Sequence, residues 1–106
     1  MAKRYRSLGE VEEEYYRAHP EEIGGYLEIC FEEYAEDGNT GALLSSLRVI
    51  ARVKGVSAIA ETSGLSRKGL QKALSEQGNP RFENVNAIIH AMGYRLMPQH
   101  IDNHTS

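Results

Sequence analysis

Several side chains that can hydrogen-bond to nucleic acid lie within seven consecutive residues of this sequence. They are Ser66, Arg67, Lys68, Gln71 and Lys72. Arginine and lysine donate to guanine O6 and N7 or to phosphate, and glutamine pairs with adenine. Leu70, Ala73 and Leu74 recur among these polar residues at helical spacing, so they predict a helix over residues 67–74 with one buried side. The outer side of that helix is a candidate surface for contact with DNA.

The residues before this helix predict a second short helix and a tight turn. Ser57 is placed to cap a helix over residues 58–63, and Gly64 lies where the turn needs a positive φ. Leu65 inserts into the core, and Ser66 caps the following helix. Two short helices joined by a glycine turn, the second rich in base-reaching side chains, are typical of a helix-turn-helix that reads the major groove. The alternative is a solvated helix with ordinary lysines.

The charges divide the chain into an acidic front and a basic rear. Residues 1–41 hold four Lys/Arg against eleven Asp/Glu, a net charge of −7, and residues 42–98 hold eight against three, a net charge of +5. A basic segment that carries candidate DNA-contacting residues favours phosphate binding. The acidic front indicates a basic partner or simply a solvated surface. The overall charge of −3 therefore does not argue against nucleic acid.

Composition and cysteine usage are those of one soluble globular domain. The 106 residues are 41% hydrophobic and 25% charged, which is ordinary for such a domain. No apolar run is long enough for a membrane span, and the N-terminal residues lack the apolar stretch of a secretory signal. The single cysteine, Cys30, cannot form an internal disulfide, which fits a reducing compartment. We therefore expect a cytoplasmic protein.

The sequence offers no catalytic constellation and no convincing metal site. The acidic run at residues 12–14 is consecutive, so its carboxylates do not share one face of a helix. Cys30 lies within an apolar stripe, where it is a small buried hydrophobe and not a nucleophile. His100 and His104 have the spacing of a helical metal site, but no third ligand of the right kind lies near them in sequence, and the tail lacks a helical pattern. We expect no enzymatic activity, no metal and no cofactor.

Apolar periodicity predicts an all-α fold of five helices with a short C-terminal strand. The expected helices span residues 20–36, 40–53, 58–63, 67–74 and 82–92, and their expected inward side chains include Ile23, Leu27, Cys30, Tyr34, Leu44, Leu47, Ile50, Ile59, Leu70, Phe82, Ile88 and Met92. Residues 94–97 alternate polar and apolar side chains, as a strand does. A lone strand leaves backbone groups unpaired, so we expect it to pair with a copy of itself in a homodimer.

The same patterns predict three segments. Residues 1–19 are expected to form an N-terminal arm, either loose or with a short helix. Residues 20–98 are expected to form the DNA-binding domain, including its acidic first helix. Residues 99–106 are expected to form a flexible tail.

The sequence resembles the addiction-module antidote family. Members of this family are HigA-like antitoxins that contain a Cro/C1-type (Xre-like) helix-turn-helix. The residues that carry the resemblance are LLSSLRVIARVKG (43–55), Ile59-Ala60, SGLSR (63–67), Leu70, KALS (72–75), GNP (78–80), Phe82 and AMGYRL (91–96). The resemblance covers about residues 38–97 and more loosely residues 20–37, whereas residues 1–19 are not diagnostic. The combination is specific; the helix-turn-helix alone would indicate only DNA binding.

The resemblance implies a five-helix, Cro/C1-repressor-like domain from a bacterium, encoded beside a toxin of the RelE/ParE superfamily. Such an antitoxin silences its basic toxin and binds its own operator as a dimeric autorepressor. Carried over by position, the groove-facing residues are Ser66, Arg67, Lys68, Gln71 and Lys72, and the phosphate-contacting residues include Ser57, Asn79 and Arg81. Of the groove-facing set, Arg67, Lys68 and Gln71 are assigned to bases and Lys72 to phosphate. Gly69 interrupts the recognition helix, which leaves the strength of recognition open.

Two other functions are also compatible with the sequence. One is a toxin-masking protein with vestigial DNA binding, in which residues 10–37 of the acidic front contribute to the toxin interface. The other is a stand-alone phage-type repressor without a toxin.

Overall fold

The computed structural model describes residues 7–101, and within them the chain is all-helical, as the periodicity predicts. Its α-helices are α1 (Leu8–Ala18), α2 (Ile23–Asp37), α3 (Thr40–Lys54), α4 (Val56–Ser63), α5 (Arg67–Ala73) and α6 (Phe82–Ala91), and a 3₁₀ turn at Pro20–Glu22 leads into α2. The described residues therefore contain six α-helices and not five, because much of the expected arm forms α1. None of these helices is both long and apolar enough to cross a membrane.

A capping box fixes the start of α1. Ser7 Oγ accepts a hydrogen bond from the backbone N–H of Glu10 at 3.1 Å, and Glu10 Oε1 accepts one from the backbone N–H of Ser7 at 3.2 Å. This reciprocal pair satisfies two backbone donors at the helix start. α1 packs mainly on α3, yet none of its residues is fully buried. The parts of the arm and tail predictions that concern residues 1–6 and 102–106 lie outside the described residues.

α3 forms the centre of the hydrophobic core. It contributes six buried residues, Leu43, Leu44, Leu47, Val49, Ile50 and Ala51. The buried residues around them are Ile23, Leu27, Cys30, Ile59, Ala60, Leu70, Leu74, Ile88, Ile89 and Met92. The stripes predicted from spacing are largely confirmed. Phe82 and Tyr34 are exceptions at 75% and 37% exposure, because both line an open groove and are not enclosed by the core.

The chain after α6 forms no strand within residues 94–101. The backbone N–H of Tyr94 donates to the carbonyl of Ile89 at 3.0 Å, and no backbone hydrogen bond joins residues 95–101 to the rest of the described chain. Strand formation requires a neighbouring strand to pair with the backbone groups. A single copy of the chain offers none in its described part, so the strand expected at residues 94–97 is not observed there.

Candidate nucleic-acid interface

α4 and α5 are joined by a tight turn at residues 64–66. Gly64 has the left-handed conformation that the sequence predicts, with φ = 80°. The backbone N–H of Leu65 donates to the carbonyl of Ala60 at 3.1 Å, which closes the helix end as in a Schellman motif. Ile59 and Ala60 are the buried residues of α4. The turn therefore brings α5 back onto the core that α4 covers.

α5 has a buried row and an exposed row. Leu70 and Leu74, the residue that follows the helix, are each 1% exposed. The exposed row consists of Arg67, Lys68, Gln71 and Lys72. The three cations and the amide are thus available to a ligand, while the two leucines hold the helix on the core.

Ser66 closes the first turn of α5. Its Oγ accepts a hydrogen bond from the backbone N–H of Gly69 at 2.9 Å, so the predicted cap is confirmed. A Cβ added to Gly69 would lie 3.0 Å from that oxygen, closer than an ordinary contact. Gly69 therefore leaves room for the cap, although glycine costs about 1 kcal/mol in helix propensity relative to alanine. Of these two effects, the sequence alone indicates only the lower helix propensity.

Ser57 does not cap α4, which corrects the prediction. The helix starts at Val56 with Gly55 as its N-cap residue, because Gly55 turns the chain directly from α3 into α4. Ser57 lies in the first helical turn, and its Oγ accepts a hydrogen bond from Arg67 Nη1 at 3.1 Å. This bond links the exposed sides of α4 and α5 and holds the Arg67 guanidinium close to the start of α4.

Asn79 and Arg81 lie outside the α4–α5 pair. Asn79 is exposed and lines a groove of about 610 Å³ beside Pro80 and Phe82. Arg81 precedes α6 and pairs with Glu83 at 3.6 Å, with side chains that are 81% and 73% exposed. An ion pair this exposed contributes little stability, so Arg81 is not fixed by it. The structure therefore groups six of the eight predicted site residues on α4, the turn and α5.

Two arginines of α3 lie beside α5 and were not among the predicted site residues. Arg48 Nη1 donates to the carbonyl of Leu74, at the helix end where a cation is favourable. Arg52 and Gln71 line a cleft of about 350 Å³, and Arg52 also pairs with Glu13 of α1 at 3.3 Å. The sequence reveals the two charges, but only the packing of α3 places them next to α5.

The remaining chemical candidates are Cys30 and the pair of His100 and His104. Cys30 is 7% exposed, and burial raises the pKa of its thiol, which disfavours the reactive thiolate. No group of three His, Cys, Asp or Glu residues that could hold a metal occurs within residues 7–101. His104, the second residue of the histidine pair, lies outside those residues, and the expected absence of a cofactor stays a prediction.

Comparison with known proteins places the chain in a protein family. The family model described as "Probable addiction module antidote protein" matches residues 9–100, which include all of α2 to α6 and nearly all of α1. An "Uncharacterized protein" from Haemophilus influenzae is 40% identical over 73 residues, covering 69% of this chain and 75% of that relative. No solved structure matches the chain significantly.

Proposed function

The chain belongs to the family of probable addiction module antidote proteins, and we propose that it neutralises a RelE/ParE-superfamily toxin and represses its own operon. In this proposal it acts in the cytoplasm as a homodimer with a Cro/C1-repressor-like helix-turn-helix formed by α4 and α5. Family membership supports the antitoxin function and the existence of a toxin partner. The observation that carries DNA binding is the exposed row of three cations and one amide on α5.

The geometry of α5 supports an assignment of individual contacts. We assign Arg67, Lys68 and Gln71 to base edges. These are the first three residues of the exposed row, counted from the start of the helix. The assigned phosphate contacts are Lys72, Ser57, Asn79 and Arg81. The bond from Arg67 to Ser57 restrains the guanidinium before DNA arrives, which lowers the entropy cost of a base contact. Phosphate contacts set the position on the duplex, and base contacts select its sequence.

Two apolar grooves support the homodimer. Both are lined by Phe31, Tyr34, Leu96 and Met97, and their volumes are about 610 and 1090 Å³. Residues 95–101 have no backbone hydrogen bond to the rest of the described chain. In our proposal residues 94–97 pair with the same segment of a second copy across a two-fold axis, which would satisfy these backbone groups. A dimer would place two copies of α5 in successive major grooves about 34 Å apart.

Co-expression with the reading frame adjacent to this gene tests the antitoxin function. Expression of that frame alone should arrest growth, and the chain should restore growth and co-purify with the product. Arg67→Ala with Gln71→Ala should preserve the rescue, because these residues are assigned to DNA and not to the toxin. An adjacent product that arrests growth equally with and without the chain contradicts the proposal. A non-toxic neighbour would favour the stand-alone repressor.

Removing the two best base-reading side chains should relax sequence preference. Arg67→Ala with Gln71→Ala is expected to cost about 1–3 kcal/mol of discrimination for each lost bidentate pair. The measurement is a gel-shift titration with DNA from upstream of the gene and with scrambled DNA of equal length. Arg17→Ala also removes one cation, but from α1, and should leave the discrimination unchanged. Operator preference that survives in the double variant would refute the assignment, and absence of operator binding in the unmodified chain would favour vestigial DNA binding.

A further inference from the structure

α1 has an apolar row on the side that faces solvent. Leu8 is 76% exposed, Val11 is 49% exposed and Tyr15 is 44% exposed. Their spacing of three and four residues places them on one face of the helix. An exposed row of this kind on a small protein is a candidate contact surface.

A different side of α1 already packs on the rest of the protein. Tyr16 packs against the core, and its ring centroid lies 4.6 Å from that of Tyr26. Gly9 faces α3, since a Cβ there would lie 3.9 Å from Val49. Glu13 pairs with Arg52 of α3 at 3.3 Å. The row formed by Leu8, Val11 and Tyr15 is therefore not needed to attach α1.

Tyr15 is held in place although its side chain is exposed. Its ring stacks on His19 at a centroid distance of 4.4 Å and an interplanar angle of 2°. Its hydroxyl donates to the Glu22 carboxylate at 2.9 Å. A restrained aromatic side chain loses little conformational freedom when a partner covers it, which is why tyrosine is common among the residues that dominate interfaces.

The charge around this row selects a cationic partner. Residues 1–37 hold eleven Asp/Glu against four Lys/Arg, a net charge of −7. The Glu13 carboxylate pairs with both Arg17 and Arg52 at 3.3 Å, and the negative net charge of the segment remains when every basic residue in it is counted. The toxin that the resemblance implies is a basic protein, so its surface offers cations to these carboxylates. Complementary potentials speed encounter and exclude partners of the wrong charge.

We propose that the row of Leu8, Val11 and Tyr15 anchors α1 in an apolar, cation-rimmed groove of the toxin. This assignment rests on the proposed antitoxin function and names the surface through which it acts. The binding mode is that of an amphipathic helix laid into a groove, with anchors at i, i+3 and i+7. The carboxylates beside the row meet the cations of the rim. Tyr15 enters the groove in the orientation that His19 and Glu22 already hold.

Point substitutions test this surface better than truncation. Removal of residues 1–37 would delete α2, whose Ile23, Leu27 and Cys30 belong to the core, so loss of toxin binding would then reflect unfolding. The side chains of Leu8 and Val11 are 76% and 49% exposed. Substituting them leaves the core and the contacts of Tyr16 and Glu13 unchanged.

The experiment measures the dissociation constant of the full chain for the product of the adjacent reading frame by calorimetry. Leu8→Ala with Val11→Ala should weaken binding roughly 10- to 100-fold, as truncation of two anchor residues does. Leu8→Lys with Val11→Lys should weaken it further. Ile29→Lys is the matched control, because Ile29 is 57% exposed on the equally acidic α2 but lies outside the row. Operator affinity and the thermal melting curve should be unchanged in all three.

Each outcome decides a separate point. Tight binding by both Leu8/Val11 variants would overturn the anchor assignment while leaving the antitoxin function intact. Equal weakening by Ile29→Lys and by Leu8→Lys with Val11→Lys, with none by Leu8→Ala with Val11→Ala, would show that only charge matters, which also overturns the apolar anchor. Loss of the homodimer at unchanged toxin affinity would assign the row to contact between two copies. If the unmodified chain binds no adjacent product, the proposed function fails, and the anchor assignment fails with it.

Discussion

Leu70→Ala is expected to lower the free energy of unfolding by roughly 2–5 kcal/mol, the usual range for a leucine deleted from a core. Leu70 is 1% exposed and is the only buried residue within α5. α5 has seven residues, and a helix this short is not stable without tertiary contacts. The substitution should therefore detach the candidate DNA-reading helix as well as destabilise the protein, and specific operator binding should be lost.

Urea unfolding followed by circular dichroism measures the stability change, and a gel-shift titration measures the loss of operator binding. Lys68→Ala is the matched control on the exposed row of the same helix. It should change the free energy of unfolding by no more than about 0.5 kcal/mol, while weakening DNA binding. A Leu70→Ala protein that unfolds at the urea concentration of the unmodified chain would contradict the packing described for α5.

The core and the helix ends on which α5 depends are predictable from local patterns. The stripes of α2, α3 and α6 repeat at 3.6-residue periodicity, so spacing predicts the burial of their members apart from Tyr34 and Phe82. Ser66 and Gly64 act through residues within five positions of themselves, and such local hydrogen bonds depend on residue type and order. These features therefore need no knowledge of how the helices pack.

α1 is harder to predict for a physical reason. Its apolar residues lie on two sides, Leu8, Val11 and Tyr15 on one and Tyr16 on another, so they do not form the single stripe that indicates a packed helix. The local signal that does mark its start is the Ser7–Glu10 capping box. A search confined to apolar periodicity misses that signal.

Contacts between distant residues set the details of the candidate interface. The bond from Arg67 to Ser57 spans ten positions, and the bond from Arg48 to Leu74 spans 26. Residue type indicates which groups can donate, whereas packing decides which donors are already engaged.

In the proposed function, the separation of charge along the chain lets one small domain bind two different partners. α1 and α2 carry the acidic excess, whereas the exposed row of α5 carries cations. The ion pair of Glu13 with Arg52 lies where these two regions meet. In the proposed function the acidic helices meet a cationic toxin and the cationic helix meets DNA, and neither partner is attracted to the other's surface.

Met97→Glu is expected to convert the proposed homodimer into a monomer and to reduce operator affinity roughly 10²- to 10⁴-fold, the range over which linkage of two sites raises avidity. Met97 is 63% exposed and lines both apolar grooves, so the fold of one copy does not depend on it. When residues 94–97 pair with the same segment across a two-fold axis, residue 97 of each copy lies opposite Tyr94 of the other copy, within the contact between the two copies. Burying the introduced carboxylate there without a partner is costly.

Analytical ultracentrifugation measures the oligomeric state, and operator titrations with full and half sites measure the affinity. Asn86→Glu adds the same charge at an exposed position of α6 that lines neither groove. It should remain dimeric and lose only the small amount of DNA affinity that one added negative charge removes. Because Met97→Glu abolishes the second half-site contact, its affinities for the full site and the half site should become equal. A Met97→Glu protein that stays dimeric, or a monomer that still prefers the full operator, would show that residues 94–97 do not join the two copies.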